Sequence, residues 1–142
     1  MTDSRRWGIV CLLMFGMMIA YVDRANISVV LATPDFKALF HLSDRERGTI
    51  NSSFFWSYAL LQIPAGFLVD RFGVKTPYTI AFLLWCLVSA ATPMVGTIEQ
   101  LLLLRILLGV GESLVTPASL RWIRYNIEEA RRGTALAIYF AG

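Results

Sequence analysis

Long stretches without charge recur along this chain, separated by short polar punctuation. From Trp7 to Val22 there is no charged residue, and apolar character continues to Ala32 across Asp23, Arg24 and Asn26. Three further apolar runs cover 48–69, 76–95 and 98–117. Each is close to the ~20 residues with which an α-helix crosses a hydrocarbon core about 30 Å thick. The pattern predicts an all-α membrane protein with four complete transmembrane helices. A last apolar run, 134–142, is less than half a span and reads as the start of a fifth helix. The basic start Arg5-Arg6 followed by an apolar run also suits a secretory signal, but the run is too long and no small-residue cleavage pattern follows it.

Composition agrees with the pattern. The chain is 56% hydrophobic and 16% charged, with a mean hydropathy of +0.59, which is too apolar for a soluble domain of this size. Cys11 and Cys86 both lie inside apolar runs, where a thiol acts as a small hydrophobe and not as part of a disulfide framework. The net charge of +3 does not point to nucleic acid, because the cations are scattered between the apolar runs. His41 is the single histidine and has no cluster of metal ligands around it in the sequence. No phosphate-cradling glycine loop or nucleophile motif occurs, and Gly109-Val110-Gly111 suits close helix packing better than a nucleotide site. The expectation is a non-enzymatic chain with no cofactor and no metal, whose partner is the lipid bilayer.

Charge placement then predicts orientation. With the N-terminus in the cytoplasm, the inner loops carry Arg5, Arg6, Arg71, Lys75, Arg121, Arg124, Arg131 and Arg132, against Lys37, Arg45 and Arg47 outside. That asymmetry follows the rule that cytoplasmic loops are enriched in Lys and Arg, and it places the chain as a multi-pass protein of the inner, or cell, membrane. On the outer side Ser43 and Glu46 have capping-box spacing at the start of the second span.

The loop between the second and third spans reads Gly66-Phe67-Leu68-Val69-Asp70-Arg71-Phe72-Gly73-Val74-Lys75. Physically, Gly66 would let a neighbouring helix approach, Gly73 would permit a tight turn, and Asp70 would accept hydrogen bonds at a helix terminus. Arg71 and Lys75 alone would be an ordinary solvated loop. Taken together, Gly66, Asp70, Arg71, Gly73 and Lys75 match the G-x-L-x-D-R-x-G-x-K/R loop of the major facilitator superfamily, which the segment resembles at every defined position. The resemblance implies a conformational-switch loop. It also implies that the chain is the first part of the N-terminal six-helix half of such a transporter, residues 1–142 forming one incomplete unit.

Three further segments narrow the resemblance: Tyr21-Val22-Asp23-Arg24-Ala25-Asn26, the run from Trp56 to Gly66, and Arg105 to Glu112. They look like the anion:cation symporter family, which includes bacterial carriers of hexuronates, galactonate and glucarate. Pro117 and Arg121 agree with the sugar-acid carriers, whereas Leu114 and Ser119 stand where those carriers commonly have proline and asparagine.

Asp23, Arg24, Arg105 and Glu112 lie within predicted spans, where each charge costs about 2.5 to 3.5 kcal/mol at a helix centre and needs a partner or a wet cavity. Arg105 and Glu112 are seven residues apart, hence on one helix face about 10 Å apart, with Gly109 between them. The four charges can neutralise one another across the first and fourth helices. The functional reading gives them roles. Asp23 and Glu112 are the proton-coupling candidates, since desolvation and neighbouring guanidiniums move a carboxyl in opposite directions. Arg24 is the candidate for a carboxylate of the substrate, through its planar fork, and the family resemblance points the same way. Arg105 either shares that task or holds Glu112 ionised. Tyr58 and Gln62, four apart on one face, would donate to substrate hydroxyls or join helices. Trp7, Trp56, Trp85 and Trp122 read as interface anchors or packing residues.

The expected function is therefore transport of a small organic anion, a sugar acid or other carboxylate, by proton-coupled symport in a longer parent whose remaining helices would complete the site. The alternatives are a small four-span oligomeric membrane protein and a truncated product without function. The short run after Gly133 argues against a self-contained four-span protein.

Overall fold

Helices account for nearly all of the computed structural model, which describes residues 2–142. The side chain of Lys37, counted above among the outer cations, lies outside the described residues. The chain forms α1 (Asp3–Ala32), α2 (Pro34–Phe40), α3 (Asp44–Phe72), α4 (Lys75–Ala91), a 3-10 turn (Thr92–Met94), α5 (Ile98–Ser113), α6 (Val115–Asn126) and α7 (Glu129–Phe140). No strand occurs among the described residues. Four stretches are long and apolar enough to cross a membrane: Asp3–Ala32, Asp44–Phe72, Lys75–Met94 and Ile98–Asn126. Leu12, Leu60, Ile63 and Phe67 are exposed on their surfaces, as the apolar solvent of a bilayer allows.

The helix ends have local causes. At the start of α3, the Ser43 Oγ accepts from the Glu46 N–H at 3.3 Å while the Glu46 carboxylate takes the Ser43 N–H at 2.8 Å, the reciprocal pair anticipated from the spacing. At its far end Gly73 has φ 77° and ψ −175°, a conformation that a Cβ disfavours, and the chain reverses there into α4. The fourth predicted span does not stop at Pro117. It breaks briefly at Leu114 and runs on to Asn126, so Arg121 and Arg124 are helical and not in a loop. Pro117 explains the break, because it has no N–H to offer the carbonyl of Ser113 four residues earlier. The short helix α2 was not among the elements expected from the sequence.

α5 is the centre of the bundle, held between α3 and α4 by two glycines. A Cβ on Gly109 would lie 2.7 Å from the Phe54 carbonyl of α3, and one on Gly111 would lie 3.2 Å from the Ala81 carbonyl of α4. Backbones thus meet on both sides of α5, as expected where small residues set helix contacts in membranes. Gly66 behaves otherwise. Nothing among the described residues comes within 4 Å of a Cβ built there, so the close approach expected at Gly66 is not made by α1 to α7. Tyr139 of α7 is fully buried with Val10, Leu13 and Met17 of α1 and Ile123 of α6, which seats the last helix against the first.

Candidate functional site

Midway along the bundle, α1, α3, α4 and α5 converge on a charged cluster. Arg24 reaches from α1 to Glu112 of α5, placing Nε 2.8 Å and Nη2 2.7 Å from the same oxygen, Oε2. The other Glu112 oxygen, Oε1, is buried and has no hydrogen-bond partner among the described residues. Glu112 is 1% exposed and the Arg24 side chain 15% exposed, so this is a buried pair with one acceptor unused. Leaving such an acceptor unsatisfied costs about 1–3 kcal/mol, more for a charged group.

Rings enclose the guanidinium. The Arg24 Cζ stands 4.7 Å from the Tyr58 ring centroid, 5.1 Å from Phe54 and 5.2 Å from Tyr21. Arg105 also lies over Phe54, at 5.1 Å, so the fully buried ring serves both cations. Arg105 is 4% exposed, makes no salt bridge among the described residues, and leaves its Nε without a partner. Glu112 is thus paired across helices with Arg24 and not along its own helix with Arg105. Asp23, next to Arg24, turns to α4 instead, where the Trp85 Nε1–H donates to Oδ2 at 2.7 Å and the Ser89 hydroxyl donates at 3.4 Å.

A cavity of about 410 Å³ opens beside this cluster, between α1, α4, α5 and the short α2. Asp23, Asn26, Ser89, Thr92 and Arg105 provide its polar wall, and Phe36 and Phe40 its apolar roof. Glu112 lies outside that wall, so Arg105 and Glu112, although on one helix face, do not share this cavity.

The remaining candidate residues fall in two places. Tyr58 is part-buried, and its hydroxyl lies 3.4 Å from the Thr116 hydroxyl of α6. Gln62, one turn on, is half-buried and makes no side-chain hydrogen bond among the described residues. The loop motif forms a separate cluster at the far end of α3. There Asp70 makes an ion pair with Arg121 of α6, joining the second span to the fourth, while Arg71 lies exposed over the Phe72 ring and Lys75 opens α4, exposed. Sequence reasoning passed over Trp85 and Thr116 as site residues. Trp85 read as a packing residue because its partner, Asp23, is 62 positions away. Thr116 was findable, being one turn from Glu112.

Buried charges paired between apolar, membrane-length helices, around polar groups that face a cavity, define a polytopic membrane protein built around an internal polar site. The Major Facilitator Superfamily model matches residues 13–142, and the chain belongs to that family. Among its relatives, the probable sulfoacetate transporter of Cupriavidus necator is 36% identical over 92% of this chain and 29% of the relative. The D-galactonate transporter of Escherichia coli O6:H1 is 30% identical over 97% of this chain and 32% of the relative. The chloroplastic ascorbate transporter of Arabidopsis thaliana is 31% identical over 97% and 26%. The chain therefore spans about a third or less of the curated relatives it matches, and these relatives are transporters, not enzymes.

Proposed function

We propose that these residues form part of the N-terminal half of a longer transporter that moves a small organic anion, a sugar acid or other carboxylate, together with a proton. The observation that carries this reading is the Arg24–Glu112 pair, in which a cation with bidentate geometry is held by a buried acid that leaves one oxygen unused. An anionic substrate and Glu112 would compete for Arg24. When the substrate carboxylate takes the guanidinium, Glu112 loses its counter-charge in an apolar setting and is stabilised by binding a proton. Release reverses the exchange. Asp23, which accepts from Trp85 and Ser89, is the second acid proposed for coupling, and Arg105, without a carboxylate partner among the described residues, is a second cation available to the anion. The relatives named for sulfoacetate, D-galactonate and ascorbate support an organic anion as the class of substrate. The N-terminus and the loop at Gly73 are proposed to face the cytoplasm, on the strength of the arginine distribution.

The test uses a chimera in which residues 1–142 replace the matching segment of the D-galactonate transporter, reconstituted in liposomes. Glu112→Gln keeps the shape and removes the exchangeable proton, so pH-driven D-galactonate uptake should be lost while substrate counterflow persists. Arg24→Ala should abolish both modes, and Arg24→Lys should recover little, since an ammonium lacks the fork that puts Nε and Nη2 on one oxygen. Normal pH-driven uptake by Glu112→Gln would remove Glu112 from the coupling role. If the charges only balance one another, Glu112→Gln would instead lower the amount of folded protein.

A further inference from the structure

The cavity beside the charged cluster holds a cation that the exchange between Arg24 and Glu112 does not use. Arg105 forms part of its wall, yet it is 4% exposed, makes no salt bridge among the described residues and leaves Nε without a partner. A guanidinium so placed has given up water without gaining a protein acceptor, a costly state until an acceptor enters the cavity. Arg24 and Arg105 each stand 5.1 Å from the centroid of the Phe54 ring, but neither Arg24 nor Glu112 belongs to the cavity wall. The rest of the wall decides what can enter. Asn26 is exposed and makes no side-chain hydrogen bond among the described residues, so its amide is free to donate. Ser89 donates to Asp23 Oδ2 at 3.4 Å and Thr92 to the Val88 carbonyl at 2.9 Å, so both hydroxyls, like Asp23 itself, offer the cavity oxygen lone pairs. A bare anion would satisfy Arg105 but set its own acceptors against these oxygens. A carboxylate on a hydroxylated chain answers both kinds of group, accepting from Arg105 and Asn26 and donating through its hydroxyls to Asp23, Ser89 and Thr92. The volume of about 410 Å³ suits such a molecule, since small-molecule sites span about 300–1,000 Å³.

We propose that this cavity is a second binding site for a hydroxylated carboxylate, held by Arg105 and Asn26 and separate from the site at Arg24. The inference rests on the reading that the parent moves an organic anion, and adds that each guanidinium takes an anion of its own. Because the wall contains neither member of the Arg24–Glu112 pair, an anion at Arg105 neither displaces Glu112 nor requires Arg24. It therefore stays bound in a protein whose exchange at Arg24 is disabled.

The experiment measures equilibrium binding of radiolabelled D-galactonate to the same chimera, purified in detergent, per folded transporter. Two molecules should bind to the unsubstituted chimera and one to Arg24→Ala, although that variant does not transport. Where Arg24→Ala does not fold, Arg24→Lys keeps the charge beside Glu112 and gives the same readout. Adding Arg105→Gln should abolish the remaining binding. Adding Asn26→Leu instead, which removes a donor at an exposed position and leaves the buried charges in place, should weaken it about tenfold or more, the effect of one hydrogen bond to a charged group. Chloride or acetate at the same concentration should displace little D-galactonate, for want of hydroxyls. A single molecule bound to the unsubstituted chimera, or none to the folded Arg24 variant, would overturn the second site, and the proposed function would stand if pH-driven uptake persists in the unsubstituted chimera. Unchanged binding after Arg105→Gln or Asn26→Leu would overturn the assignment of the wall. Displacement by chloride as strong as by D-galactonate would overturn a hydroxylated carboxylate as the ligand. A chimera that neither binds nor transports D-galactonate would overturn this inference and the proposed function together.

Discussion

Single residues decide how close the central helices come. A Cβ at Gly109 would sit 2.7 Å from the Phe54 carbonyl and 3.1 Å from the Tyr58 nitrogen, and backbone cannot turn aside as a flexible side chain does. Gly109→Ala should therefore push α3 from α5 and cost about 1–3 kcal/mol, the range for overpacking. The same shift would move Phe54 and Tyr58 away from Arg24, so folded yield and anion counterflow should fall together. A thermal melt of the chimera in detergent checks the first effect, and Gly109→Ala melting with the parent would refute the packing argument. Sequence spacing put Arg105, Gly109 and Glu112 on one face correctly. It could not say which guanidinium takes Glu112, because that depends on the reach of Arg24 across 88 positions of chain.

Helices begin and end in this protein for reasons that are mostly local, and local reasons can be tested by small substitutions. Ser43→Ala removes the side chain that accepts from Glu46 and should cost about 1 kcal/mol, while Ser43→Thr keeps the cap. Gly73→Ala should be more damaging, about 1–3 kcal/mol, because φ 77° with ψ −175° is a conformation reserved almost entirely for glycine. Detergent melts that rank Ser43→Ala as the worse variant would contradict the backbone reading of Gly73. The capping box was legible because its two partners are three residues apart. The continuation of the fourth span to Asn126 was not, because the polar residues Arg121 and Arg124 that suggested a loop are accommodated on a helix. Arg121 reaches Asp70 there, and Arg124 stays exposed beside the Tyr125 ring.

Across the whole molecule, the arrangement of cations makes a prediction about sidedness. In a background lacking Cys11 and Cys86, an impermeant thiol reagent added to intact cells should modify Asp44→Cys and spare Val74→Cys. The opposite labelling would reverse the proposed orientation. By itself, the sequence determined the number of membrane-length helices, the approximate limits of the first three, the cap at Ser43, the turn at Gly73 and the presence of costly charges within spans. Those features follow from hydropathy, from spacing within a turn or two, and from the cost of charge in hydrocarbon, all of which are short-range in the chain. Only the tertiary structure decided that Arg24 and not Arg105 holds Glu112, that Trp85 donates to Asp23, and that Asp70 pairs with Arg121. Each of those pairs joins residues more than 50 positions apart, on helices that are neighbours only in the packed bundle, so which side chains meet is a property of the tertiary structure and of no single segment.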